Sequence, residues 1–501
     1  MRFAALCLVL LAAAPVFAQP FPCANGTAND ATGVTFACDG VDLLARIPPQ
    51  DLGAPAFASC PSRACLNDLW GWTDPETGRE IALVAVSNGT AFVDVTTPTA
   101  PSILGRLPTA TGPSTWRDIK VHADHAYIVS EAEGHGLQIF DLRRLRGLAA
   151  DPARLFTSDA RIGEATAHNV AVDPESGRLY TTGGPVPGGI DVYDLADPVA
   201  PVLLGSLGSG GIGYTHDAQC VTYDGPDADY IGRQICFAFN AFRLLIVDVT
   251  DAPVFSILSI AFYPEIGYVH QGWLTEDGQY LLVNDETDEI QRDEPTRTLV
   301  MDVADLDNPE FAFAHDHGTA GVDHNLYVRE QYAYQANYTD GLRIVDLSRI
   351  GEGTLRLAGS FDTFPEAPDG APDAYDGAWT AYPFFESGTL VVTDQAYGLF
   401  VLRATSLATD AAPPPAPSDL RLGTPVPNPA AGRVTIPVEG LLPGQRIDVA
   451  LFDVRGREVV SRVRLVGNVA EVETAGLAPG VYRLRASTGA RTASTAVVVA
   501  R

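Results

Sequence analysis

Four histidines recur at the same place in four successive stretches of the chain: His168, His216, His270 and His324. Each is followed by a polar residue, namely Asn169, Asp217, Gln271 and Asn325. The pairs Asn67-Asp68, Arg117-Asp118 and Asp376-Gly377 extend the series, with spacings of 50, 51, 48, 54, 54 and 52 residues. Imidazoles and carboxylates converging in a concave site can hold a transition metal, or an anionic or sugar ligand. The competing reading is structural. Buried polar groups must be paired, and a repeat pairs them the same way each time. The change from histidine to Arg117 and Asp376 in other copies keeps the ligand reading open.

Other candidate clusters are weaker. Asp224-Gly225-Pro226-Asp227-Ala228-Asp229 and Asn284-Asp285-Glu286-Thr287-Asp288-Glu289 offer oxygens to a hard cation. Neither has EF-hand spacing, and both read first as solvated loops. His315-Asp316-His317 places two rings on one face of an extended segment, with His324 as a possible third zinc or copper ligand. No G-x-S-x-G, Walker loop or H-E-x-x-H occurs.

The elements that must position these residues repeat as well. An apolar run ending in Asp recurs as Phe92-Val93-Asp94, Ile139-Phe140-Asp141, Val192-Tyr193-Asp194, Ile246-Val247-Asp248, Val300-Met301-Asp302 and Ile344-Val345-Asp346. A seventh copy, Leu399-Phe400-Val401-Leu402-Arg403, lacks the Asp. Each unit carries four short strand-like runs separated by turns. Seven such units predict an all-β, seven-bladed β-propeller over residues 41–405, in which blades bury each other's faces. The last unit lacks a fourth strand. Val41-Asp42-Leu43-Leu44-Ala45-Arg46-Ile47 is expected to supply it and close the ring. In that ring, the opening pairs sit at one mouth of the central channel.

The termini concern destination. Met1-Arg2, an apolar run and Val16-Phe17-Ala18 read as a signal peptide over residues 1–18. Residues 19–40 form a lead-in. Beyond the signal lie six cysteines: Cys23, Cys38, Cys60, Cys65, Cys220 and Cys236. An even number in an exported chain suggests disulfides. Sequence does not select the connectivity. The expected pairing is between neighbours, with a metal site as the rival reading. Residues 406–418 are a Pro-rich linker, and 419–501 read as a small Ig-like β-sandwich. No later segment is apolar enough for a transmembrane helix in the mature chain.

The 62 acidic and 33 basic residues of this 501-residue chain give a net charge of −29, which argues against nucleic acid as a partner. Lys120 is the only lysine. A lysine-poor acidic surface reads as adaptation to salt or as a GC-rich genome, not as mechanism.

Two resemblances add to this reading. The tail resembles the type A C-terminal sorting domain of the type IX secretion system. The matching residues are Pro427-Asn428-Pro429, the segment from Val449 to Val459, and Gly476-Leu477-Ala478-Pro479-Gly480-Val481-Tyr482. That resemblance implies that residues 419–501 engage the secretion and sorting machinery, and that the protein is secreted, at the outer-membrane surface or extracellular. The repeats resemble LVIVD-repeat proteins of the choice-of-anchor B family. The residues that carry this likeness are the Asp-terminated strands, Trp116-Arg117-Asp118-Ile119, Tyr214-Thr215-His216-Asp217, His270-Gln271-Gly272-Trp273 and Asp323-His324-Asn325. That family brings no known chemistry. The expected function is a binding module for a glycan, peptide or protein. The alternative is a metal-dependent extracellular hydrolase or lyase built on the histidine ring, with a divalent metal as its cofactor.

Overall fold

A computed structural model describes residues 20–60, 64–184, 188–208, 213–367, 375–405 and 407, then 421–423, 425–430, 432–439, 447–452, 459, 463–466, 469–488 and 491–500. The signal peptide, the linker residues 408–418 and residues 453–458 of the tail motif lie outside the described residues. The chain divides near Leu407 into two compact units.

The described residues of the first unit form seven antiparallel sheets, six of four strands and one of six. Five of the four-stranded sheets take consecutive strands, and the last borrows its fourth from near the N-terminus. Blade 1 is Leu66–Thr73, Glu80–Val86, Gly89–Asp94 and Ser102–Pro108. The inner strands of blades 2 to 7 are Arg117–His122, Asn169–Asp173, Asp217–Thr222, Val269–Leu274, Asn325–Arg329 and Ala378–Tyr382. Each inner strand packs beside the next, and that of blade 7 packs beside that of blade 1. The ring is therefore closed.

The third strands explain the nearly continuous apolar runs. Their alternate residues face two different interfaces. Ala91 and Val93 join the core between blades 7 and 1, while Phe92 joins the core between blades 1 and 2. Leu244 and Ile246 face blade 5, and Leu245 and Val247 face blade 3. A strand buried on both sides cannot alternate apolar with polar. Every one of the seven interfaces has such a cluster. The recurring Asp that follows ends the strand. Its carboxylate accepts the N–H two residues on, as in Asp94 to Thr96 at 3.0 Å, Asp248 to Thr250 at 2.9 Å and Asp346 to Ser348 at 2.9 Å. This is the Asx turn, a local bond that competes with continued pairing.

Closure occurs where the sequence places it. Val41–Ile47 pairs with Gly398–Ala404, with Leu43 opposite Leu402 and Ile47 opposite Leu399. It carries a bulge between Leu43 and Ala45. The outer strands of blades 1 and 3 to 6 carry the equivalent irregularity. The lead-in has a further use. Thr27–Asn29 and Thr35–Asp39 extend blade 6 beyond its own outer strand. Phe36 then packs edge-on against Phe400 at 5.2 Å between ring centroids. Disulfides join Cys23 to Cys38, Cys60 to Cys65 and Cys220 to Cys236.

Blade 7 also holds a buried carboxyl, Asp394. It accepts the N–H groups of Ala396 at 2.9 Å and Tyr397 at 2.7 Å. Burial, with a smaller contribution from Asp362, nevertheless pushes its pKa up to about 7. The native state thus keeps a proton that the unfolded chain releases near pH 4. Stability from this group is present at low pH and is lost as pH rises toward 7. Asp394→Asn should flatten the pH dependence between pH ~4.5 and ~6.5 by up to about 1.4 kcal/mol per unit. Urea midpoints at several pH values test this. An unchanged slope would mean that Asp394 is ionised in the native state.

The second unit is a β-sandwich. One sheet contains Arg421–Leu422, Arg433–Glu439, Val469–Glu473 and Val463–Val466. The other contains Asp448–Phe452, Gly480–Thr488 and Arg491–Val499. Val434, Ile436, Val472, Leu484 and Val497 are buried in its core.

Candidate functional site

The start of each inner strand frames one end of the channel. Arg117, His168, Asn169, His216, His270, His324 and Asn325 line this mouth together with Trp116 and Trp379. Local backbone irregularity aims some of them. The ladder skips a residue at His270 and again at Trp379, and a bulge re-aims its side chain. For this reason Trp379 takes the blade 7 position expected of Asp376. Even spacing put that position three residues too early. Asp376 is half-buried and does not line the mouth.

The four imidazoles stand side by side, with centroids 4.2 Å apart from His168 to His216, 4.2 Å from His216 to His270 and 4.5 Å from His270 to His324. His216 Nδ1 lies 3.1 Å from the His270 carbonyl, His270 Nδ1 3.2 Å from the His324 carbonyl, and His324 Nδ1 2.6 Å from the Trp379 carbonyl. His168 Nδ1 lies 2.6 Å from Glu131 Oε1. Other opening residues join the same inter-blade network: Asn67 donates to the Thr115 carbonyl at 2.6 Å and Asn169 to the His216 carbonyl at 3.3 Å. These contacts use one nitrogen of each ring. Nδ1 ties blade to blade, and Nε2 is left over. Burial lowers the pKa of His216, His270 and His324, the last to about 3, so these rings are neutral. Arg117 is buried as well. It donates to Thr109 Oγ1 at 2.7 Å, and burial pulls its pKa down to about 10.

Asn169 and Asn325 share the mouth, whereas Asp118, Gln271 and Asp217 point elsewhere. Asp118 accepts from the Val170 N–H at 2.8 Å and from Lys120 Nζ at 2.6 Å. Gln271 both donates to the Leu326 carbonyl at 3.0 Å and accepts its N–H at 2.9 Å. Asp217 accepts the Ala218 N–H at 2.7 Å, and burial followed by the nearby Asp118 pushes its pKa up to about 7.

Sequence reasoning missed a second ring, three residues beyond the first. Its members are Trp70, Lys120, Ala171, Gln219, Trp273, Tyr327 and Tyr382. All but Tyr382 line a cavity of about 120 Å³ toward the other end of the channel, with Asp217, Gln271 and Pro174. The signal was available, because the same offset from every opening residue yields an aromatic or the sole lysine in five of seven blades. Tyr327 stands between Trp70 at 5.6 Å and Trp273 at 5.0 Å. Lys120 Nζ lies 4.7 Å above the Trp70 ring. Its pKa is held above the usual lysine value by Asp118, against the opposing effect of burial.

Two other expectations are corrected. The segment 284–289 is not a solvated loop: Asn284, Asp285, Asp288 and Glu289 are buried. Asp285 accepts from Tyr263 OH at 2.8 Å and from the Gly267 N–H at 2.7 Å, which draws the loop inward. His315 and His317 lie at the end of the outer strand of blade 5, their rings 4.9 Å apart, with His317 Nε2 2.8 Å from Thr298 Oγ1. His324 lies on the inner side with His270 and Glu286, so the three-histidine set does not assemble. In the segment 224–229, Asp227 turns inward and accepts the Leu306 N–H at 2.9 Å.

Comparison with known proteins adds two matches. Residues 426–500 match the secretion system C-terminal sorting domain, and residues 320–363 match the LVIVD repeat. The sorting domain marks the chain for secretion, to a surface or extracellular location, through the type IX machinery. The three disulfides accord with that destination. No helix among the described residues is long and apolar enough to cross a membrane. No curated protein matches the sequence. Among solved structures, a protein from Lactobacillus plantarum is 14% identical, with a TM-score of 0.43, covering 78% of this chain and 93% of that one. The Cps50 (Swd1) β-propeller domain of Myceliophteria thermophila is 12% identical, with a TM-score of 0.44, covering 68% and 97%. A functionally unknown protein from Desulfotomaculum acetoxidans is 12% identical, with a TM-score of 0.42, covering 61% and 87%.

Proposed function

We propose that this exported LVIVD-repeat propeller is a glycan-binding module, held at the outer-membrane surface or released after the sorting tail has acted. The observation that carries the reading is the second ring: Trp70, Trp273 and Tyr327 around Lys120 and Asp217, in one cavity. A sugar ring presents an apolar face to aromatic side chains and hydroxyls to charged groups. Asp217 has an oxygen left after its bond to Ala218, and Lys120 has donors left after its bond to Asp118.

Size separates the two ends. The histidine mouth leaves about 10 Å³, the space of a single water. The aromatic cavity, at about 120 Å³, is some tenfold roomier. A glycan therefore enters from the aromatic end and stops, which fits a terminal sugar residue better than a threaded chain. Peptide binding is less well served, because the glutamines that would pair with a peptide backbone are already bonded to blade backbone.

A glycan array read with the wild type and with Trp273→Ala tests this. Hits on terminal sugars, weakened about 30-fold by loss of the aromatic wall, are the expected result. No hits, or hits that Trp273→Ala leaves intact, would overturn it.

A further inference from the structure

The histidine end carries chemistry that sugar binding does not use. His270 Nε2 lies 3.6 Å from Glu286 Oε2, and His324 Nε2 lies 3.9 Å from Glu286 Oε1. Both separations are too long for hydrogen bonds. Each Nδ1 faces a backbone carbonyl, which can only accept, so the proton sits on Nδ1. Each Nε2 then offers a bare lone pair. Two lone pairs thus face one carboxylate at distances that no hydrogen bond explains.

A metal ion shared by the three groups would account for them. Bonds of about 2.1 Å in a tetrahedral arrangement separate ligand atoms by roughly 3.4 Å. The two nitrogens stand 3.6 and 3.9 Å from one or other oxygen of Glu286, so a small side-chain shift brings the set onto an ion. The supporting contacts are also those of a metal site. Backbone carbonyls fix the tautomer and orientation of both rings, and Tyr338 OH donates to Glu286 Oε1 at 2.8 Å. All three ligand groups lie within 4.8 Å of one another. The histidines are 2% and 3% exposed, so their rotamers are set by packing. We propose that His270, His324 and Glu286 form a three-ligand site for one zinc ion, with its fourth position open to the mouth.

Two nitrogens and a carboxylate suit zinc and its late first-row neighbours and discriminate against calcium and magnesium, which take oxygen ligands. The site is separate from the aromatic cavity, and each can exist without the other.

The test uses the full chain, stripped with a chelator and titrated with zinc by calorimetry, then with cobalt(II), whose visible absorption reports four-coordination. One zinc per chain is expected. His270→Asn retains an amide to donate to the His324 carbonyl, and Glu286→Gln retains the bond from Tyr338. Each should weaken zinc more than about 100-fold, beyond what loss of a supporting contact costs. His315→Asn should leave it unchanged. No tight zinc, or zinc held equally by both ligand variants, would overturn the site. Should His270→Asn fail to fold, Glu286→Gln decides alone. Glycan binding measured in the same samples distinguishes failure here from failure of the sugar reading.

Discussion

Leu43→Ala is expected to lower the unfolding free energy by about 2–5 kcal/mol, the range for a large-to-small change in a packed core. Leu43, on the closing strand itself, is fully buried in one cluster with Phe36 of the lead-in, Phe361, Phe400 and Leu402. The matching position in blade 3 is a ready control. Leu203 lies on the outer strand Val202–Leu207 and is 51% exposed. Leu203→Ala should change stability by no more than about 0.5 kcal/mol. Denaturant unfolding followed by tryptophan fluorescence measures both. The contrast matters because the two strands read alike in sequence. If Leu43→Ala proves as mild as Leu203→Ala, the closing strand is not what holds the ring shut.

The second large effect is expected from the only lysine. Lys120 is buried and paired with Asp118, with the Asp68 carboxyl close by. Burial, then Asp118, already drives the pKa of Asp68 well up, so beside this ion pair stands a carboxyl that resists ionising. Lys120→Met leaves Asp118 without its cation in a place water does not reach freely. Breaking a buried pair on one side costs about 3–5 kcal/mol. Adding Asp118→Asn should recover most of that loss, since replacing both partners is far milder than removing one. A double-mutant cycle in urea measures the coupling. Equal losses in the single and double variants would show that Lys120 acts by filling space rather than by its charge.

Much of this architecture was legible because each blade faces the same packing problem. A third strand buried on both sides must be apolar throughout, and the Asp that turns the chain afterward marks its end. Counting those Asp-ended strands counts the blades. The missing fourth strand of the last unit, and the orphan run at 41–47, pointed to each other for the same reason. The site was read less completely. Spacing alone could not show that Trp379, rather than Asp376, reaches the mouth, because a bulge shifts the register locally. Glu286 sits in a run of acids that looks made for water, and only the wrap of neighbouring blades buries the residues around it. The aromatic ring went unread for a different reason: a Trp or Tyr on a strand is usually core, and its convergence with six other blades is a property of the circle.

Closure by Val41–Ile47 also sets an order of events. Its partner, Gly398–Ala404, is made more than three hundred residues later. Until then the early strand has a free edge and no mate, and contacts so distant along the chain form slowly. Blades 1 to 6 each have four consecutive strands of their own, but blade 7 is complete only once the two ends of this unit meet. An open edge of that kind is a template for pairing with another copy, so joining the two ends also guards the chain against association.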